Sequence, residues 1–112
     1  MKKVMLLCNA GMSSSLMAKK VSEYFYSNGK DIKVDATTTA NSEEVFGNKD
    51  YSMVLVSPQV RMLYEEYRIK AKETGKKIAQ VTVDAYSPTP NGVKKMADII
   101  LSSYMKLWVK IN

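Results

Sequence analysis

Val4-Met5-Leu6-Leu7-Cys8-Asn9-Ala10-Gly11-Met12-Ser13-Ser14-Ser15-Leu16-Met17 is the stretch whose reading decides the fold. Its first four residues form an unbroken apolar run, preceded by Lys2-Lys3 and stopped by Asn9-Ala10-Gly11, the pattern of a strand buried on both faces. Beyond it Leu16, Met17, Val21, Tyr24 and Phe25 recur at helical spacing until Asn28-Gly29 supplies a C-terminal stop. The unit reads strand, loop, helix.

The same unit repeats downstream. Ile32, Val34 and Ala36 alternate with polar residues as a second strand, and Asn41 or Ser42 caps a short helix around Glu43 to Phe46. Tyr51 to Val56 is a third strand, ended by Ser57-Pro58-Gln59; Leu63, Tyr67 and Ala71 then mark a helix that stops at Gly75. Ile78 to Val83 predicts a fourth strand, and Asp84 to Asn91, with Pro88 and Pro90, predicts a loop. Val93, Ala97, Ile100, Tyr104, Leu107 and Trp108 give one face of a long closing helix. Strands alternating with helices predict an α/β fold: one domain over residues 1–112, with an open four-stranded parallel sheet, right-handed crossovers and helices on both faces.

Composition limits the chemistry. A chain of 112 residues suits one domain, and 46% hydrophobic residues against 25% charged ones exclude a disordered segment. Histidine is absent, which rules out internal Ser–His or Cys–His activation and the commonest zinc sites, so neither metal nor cofactor is expected. Cys8 is the only cysteine, so an internal disulfide and dithiol redox chemistry are also excluded. The net charge of +6 comes from lysine pairs such as Lys19-Lys20 and Lys94-Lys95, scattered through all elements. That distribution reads as solvated helix faces, with no nucleic-acid site and only a weak case for an anionic membrane surface. The eight methionines read as core filler. The apolar run from Val4 ends too early for a signal peptide, and no stretch approaches the roughly 18 apolar residues of a membrane span, so a cytoplasmic location is expected.

Open parallel sheets bind ligands beyond the carboxyl ends of their strands, near the point where strand order reverses. Cys8, Pro58 and the loop from Asp84 to Asn91 lie at such ends, so three loops distant in sequence are expected to converge on one rim. Between Cys8 and the first helix, Asn9, Ala10, Gly11, Met12, Ser13, Ser14 and Ser15 are expected to bind an oxyanion. The amides of a first helical turn have no partner within the helix, Gly11 tolerates unusual backbone angles, and the serine hydroxyls donate or cap. The helix dipole favours a thiolate by about 0.3–1 kcal/mol, and the thiolate is the nucleophile. Cys8 is thus the candidate catalytic residue. Neither GxxxxGK[ST] nor GxGxxG occurs, which removes the nucleotide-binding readings. A cysteine phosphatase also needs a guanidinium clamp; low-molecular-weight tyrosine phosphatases carry it six residues after the cysteine, where this chain has Ser14. The loop suits holding a phosphoryl group better than hydrolysing it.

The run from Val4 to Met17 closely resembles the active-site segment of the IIB components of the lactose/cellobiose (chitobiose) family of the phosphoenolpyruvate-dependent sugar phosphotransferase system. The resemblance extends through Ser57-Pro58-Gln59 and Asp84-Ala85-Tyr86. It implies an architecture similar to the low-molecular-weight tyrosine phosphatases and a phosphocysteine on Cys8. The phosphoryl group would come from a phosphohistidine of a IIA protein and pass to sugar bound in a membrane IIC transporter, with Pro58, Gln59, Asp84 and Tyr86 as possible partner contacts. The missing histidine and arginine then make sense: the partner supplies the histidine, and a carrier must keep its phosphoryl group from water. One departure stands out. The family commonly has Tyr-Gly followed by Asn- or Asp-Gly in the fourth loop, where this chain has Tyr86-Ser87-Pro88-Thr89-Pro90 before Asn91-Gly92. Two rival readings are a cysteine phosphatase with Asp84 as general acid and a non-catalytic anion-binding module.

Overall fold

The computed structural model describes residues 1–9 and 11–111, with side chains described at 1–9 and 14–105. Four strands, β1 (Lys2–Cys8), β2 (Ile32–Thr38), β3 (Tyr51–Val56) and β4 (Lys77–Gln80), form a parallel sheet in the order β2-β1-β3-β4. The helices α1 (Gly11–Ser27), α2 (Ser42–Gly47), α3 (Tyr64–Thr74) and α4 (Pro90–Ile111) connect or follow them, with 3₁₀ turns at Thr39–Asn41 and Pro58–Leu63. The chain runs from β1 outward to β2, then crosses back over β1 to β3. Strand order therefore reverses at β1, which puts Cys8, at the carboxyl end of that strand, at the reversal point.

Alternation along the two inner strands divides the core. Val4 and Leu6 of β1 and Met53 and Leu55 of β3 pack with Met17, Val21 and Phe25 of α1 and with Met96, Ala97 and Ile100 of α4. Met5, Leu7, Val54 and Val56 face the other way, onto Val45 and Phe46 of α2 and Tyr67 and Ala71 of α3. Each fully buried aliphatic side chain of this size contributes about 1.5–3 kcal/mol of hydrophobic stabilisation. This explains why β1 and β3 tolerate no polar residue in their central stretches. Tyr104 belongs to the first layer: it packs against that cluster and shares a 2.5 Å hydrogen bond with Ser52. Leu107 and Trp108, expected on the same helical face, have side chains outside the described residues.

Helix ends follow local chemistry. Gly29 and Gly75 take φ of +71°, the left-handed conformation that ends α1 and α3. The following amides, of Lys30 and Lys76, turn back to Phe25 O and Ala71 O. On the outer flank of β2, Ser22 of α1 accepts a hydrogen bond from Val34 N at 2.8 Å and donates one to Val34 O at 3.1 Å. One hydroxyl thus satisfies both backbone groups of Val34 at the open edge.

Four expectations need correction. Leu16 is 45% exposed, because the buried stripe of α1 runs through Met17, Ala18, Val21 and Phe25 and leaves Leu16 to one side. β4 ends at Gln80 rather than Val83: Val81 N still reaches Val56 O, but Ala85 N to Thr82 O and Tyr86 N to Val83 O then close tight turns. The last helix starts inside the expected loop, at Pro90. Thr89 Oγ1 caps it by accepting from Gly92 N at 3.2 Å, and Pro90 occupies the first helical position, where its missing N–H is not needed. Asn41 holds the N-cap position of α2, yet its side chain donates to Thr37 Oγ1 instead of capping. Among the described residues, no helix is long and apolar enough to cross a membrane.

Candidate functional site

Cys8 is the last residue of β1, and α1 begins three residues later at Gly11. Ser14, one turn into the helix, is brought back over the strand end: the Cys8 thiol donates to Ser14 Oγ at 2.7 Å and lies 3.6 Å from Thr37 O of the neighbouring strand. Both Cys8 and Ser14 are fully buried. The sequence places the sulfur at an open mouth; the structure encloses it, because the helix start folds directly onto the strand end. The two contacts differ in what they can do for an ionised sulfur. The Ser14 hydroxyl can turn and donate to a thiolate, whereas the Thr37 carbonyl can only accept.

Ser15 is exposed, at the surface of the same helical turn, and Asn9 is exposed at the start of the loop. Ala10, and the side chains of Gly11, Met12 and Ser13, lie outside the described residues, so the expected anion cradle is described only at its two ends.

The other rim loops separate into two groups. Pro58 opens the 3₁₀ turn after β3 and is half-buried, with Gln59 exposed beside it. Both sit at the carboxyl end of the strand next to Cys8, as expected. Asp84 is exposed after β4, where its carboxylate meets Lys95 Nζ at 2.8 Å and accepts from Thr82 Oγ1 at 2.5 Å. Lys95, and secondarily Thr82, hold its carboxyl down to about 2. In this arrangement Asp84 is engaged by Lys95 and Thr82, which counts against it as the general acid that a phosphatase reading requires. Tyr86 packs its ring onto the core cluster beneath α1 and α4. Its hydroxyl is buried and without a hydrogen-bond partner among the described residues. Among the described residues there is also no cluster of side chains able to hold a metal ion.

Sequence reading treats Ser57 only as part of a strand terminator, yet it lies one step past the Leu7–Val56 pair, on the β3 side of Cys8, while Thr38 of β2 is the partner of Cys8 on the other side. The Ser57 N–H donates to Leu7 O at 3.0 Å, and its side chain is fully buried. The available signal was register: a polar residue closing the apolar run of β3 at the level where Cys8 closes that of β1.

Comparison with known proteins gives a consistent set of relatives. Residues 3–98 match the family model described as the lactose/cellobiose-specific IIB subunit of the PTS system. The oligo-beta-mannoside-specific EIIB component of Bacillus subtilis is 31% identical over 86 residues, 77% of this chain and 82% of the relative. The galactose-specific EIIB component of Lactococcus lactis subsp. cremoris is 34% identical over 77 residues, 66% of this chain and 71% of the relative. In fold, the chain is similar to the lactose-specific IIB domain of Streptococcus pneumoniae, with a TM-score of 0.76 at 22% identity, covering 92% of this chain and 97% of that one. It is also similar to the cellobiose-specific IIB component of Borrelia burgdorferi, with a TM-score of 0.70 at 21% identity, covering 94% and 93%.

Proposed function

Since the chain belongs to the lactose/cellobiose-specific IIB family of the phosphotransferase system and is thus a phosphotransferase, we propose that Cys8 is the residue that carries the phosphoryl group. The observation that carries this reading is the meeting of Cys8 Sγ and Ser14 Oγ at 2.7 Å, where a buried strand runs into a helix start at the reversal point of the sheet. A single thiol, an adjacent hydroxyl and a helical first turn are what a phosphocysteine needs: a nucleophile, a donor and a positive end of a dipole.

In the first half-reaction the sulfur attacks the phosphorus of a phosphohistidine on a IIA protein. The S–P bond forms as the N–P bond breaks, and the thiol proton ends on the released imidazole. In the second, a sugar hydroxyl held by a IIC transporter attacks the same phosphorus, the O–P bond replaces S–P, and the hydroxyl proton returns to sulfur. In both steps the loop residues Asn9 to Ser15 bind the group, and charge developing on its outer oxygens is met by hydrogen-bond donors rather than by a cation. Pro58 and Gln59, on the rim beside Cys8, are contacts for the two partners, with Asp84 and Tyr86 at its far side. The domain, residues 1–112, works at the cytoplasmic face of the transporter. The relatives are named for oligo-beta-mannoside, galactose and cellobiose, and the sugar that receives the group here is of the β-glucoside/cellobiose, lactose or chitobiose class.

Incubation with a phosphorylated IIA protein of the lactose/cellobiose class tests the reading. Intact mass and peptide mapping are expected to find one added HPO₃ unit, on Cys8. Labelling that persists in Cys8→Ser would refute it.

A further inference from the structure

Ser57 has a buried hydroxyl for which the fold has no use. It follows Val56 in extended conformation, with φ −69° and ψ 158°, so the in-and-out alternation of β3 continues through it. Leu7 pairs with Val56, and Ser57 N bonds Leu7 O, so the β1–β3 ladder also continues one step and sets Ser57 beside Cys8. Leu6 and Leu55 point toward α1 and α4, while Leu7 and Val56 point away; Cys8 and Ser57 therefore return to the α1 side, where Ser14 meets the sulfur. Ser57 is 0% exposed, and its Oγ has no hydrogen-bond partner among the described residues. The nearby Gln80 does not provide one. By alternation its side chain leaves β4 on the Ile78 face, and its amide nitrogen binds the carbonyls of Val56 at 2.9 Å and Ser57 at 3.3 Å, pinning the backbone that bears the hydroxyl.

An unpaired buried hydroxyl is destabilising, and alanine would fill the position without that penalty. Adjacent strands lie about 4.8 Å apart, too far for a direct bond between groups that stand side by side, but a distance that a phosphoryl group on one of them spans. Such a group adds three acceptor oxygens to the sulfur and no donor. Building on the assignment of Cys8 as phosphoryl carrier, we propose that Ser57 is a ligand of the phosphoryl group. Its O–H, idle in the unphosphorylated protein, donates to one of the oxygens carried on Cys8 and takes part of the role that a guanidinium has in cysteine phosphatases.

The test is Ser57→Ala in the full chain, charged by a ³²P-labelled phosphohistidine donor protein of the IIA type, with Cys8→Ser in parallel. Ser57→Ala is expected to slow phosphoryl acceptance about ten- to a hundred-fold, as for loss of one donor to a charged group. The unphosphorylated variant is expected to melt at the same temperature as the parent or higher, because no bond is lost. Unchanged acceptance in Ser57→Ala overturns the proposal, and so does slower acceptance accompanied by a lower melting temperature, which would make Ser57 structural. These outcomes leave the Cys8 assignment standing as long as Cys8→Ser takes no label. Label retained by Cys8→Ser removes both.

Discussion

The segments after β1 and after β4 both leave the same rim of the sheet and both lead into a helix, yet they use polar residues in opposite ways. At the end of β1, in the helical turn above it and at the end of β3, three polar side chains are buried: Cys8, Ser14 and Ser57 are fully enclosed, with the Cys8 thiol donating to Ser14 Oγ. After β4 the polar atoms are exposed and spent on the loop itself. Asp84 binds Lys95 and Thr82, Thr89 caps α4, and Gly92 lies so close under Ser87 that an added Cβ would stand 2.2 Å from the Ser87 carbonyl oxygen. Exposed charge is the feature a sequence reader notices first. Here it holds a turn together, while the proposed site is built on buried side chains.

That contrast predicts a clean division: substitutions in the first region should alter phosphoryl transfer at little cost to folding, and those in the second should do the reverse. The largest effect is expected from Cys8→Ser, which should reduce phosphoryl acceptance from a IIA donor to background while the far-ultraviolet circular dichroism is retained. Ser14→Ala comes next, removing the hydroxyl that meets the sulfur; single-turnover transfer should slow about ten- to a hundred-fold, as expected for a hydrogen bond to a charged group. Gly92→Ala should leave transfer by the folded protein unchanged and lower stability in urea by about 1–3 kcal/mol, the usual range for overpacking. A transfer defect in Gly92→Ala as large as that of Ser14→Ala would erase the distinction between the two loops. Thr89→Ala should cost about 1 kcal/mol through loss of the cap, read from the same denaturation curves.

The smallest effect belongs to Asp84→Asn, and it sharpens the comparison through pH. The folded protein holds this carboxyl at about 2, below the value of roughly 3.9 expected when unfolded. The carboxylate's contribution to stability is therefore fully present above the unfolded value and lost as pH falls through about 2. The melting temperature of Asp84→Asn should lie slightly below the parent at pH 6, converge with it on acidification toward pH 2, and be accompanied by an unaltered transfer rate at pH 7. A rate that tracks this carboxyl would return Asp84 to the chemistry.

How far the sequence alone reaches follows from the same physics. β1 and β3 are legible because they are inner strands covered on both faces, so their apolar runs are unbroken and bounded. Gly29 and Gly75 are legible because a left-handed helix end leaves little choice of residue. The end of β4 is not, since Val81 and Val83 look alike in sequence. Only the turn at Thr82 to Tyr86 decides that one is buried and the other 74% exposed. Leu16 misleads for a related reason: helical spacing identifies a stripe but does not say which of two adjacent apolar residues forms its edge. Within the candidate site, Cys8 and Ser14 follow from position along the chain. The enclosure of the sulfur and the idle hydroxyl of Ser57 do not, because both arise from strands and helices meeting across the sheet.

Ser22 carries a consequence for the company this molecule keeps. A bare outer strand invites a foreign β-strand to dock on it, and sheets with such a flank tend to stick to their own kind. By occupying both backbone groups of Val34, one small side chain withholds that invitation at the middle of β2. At that point of the edge, neither backbone group of Val34 is left to pair with a foreign strand.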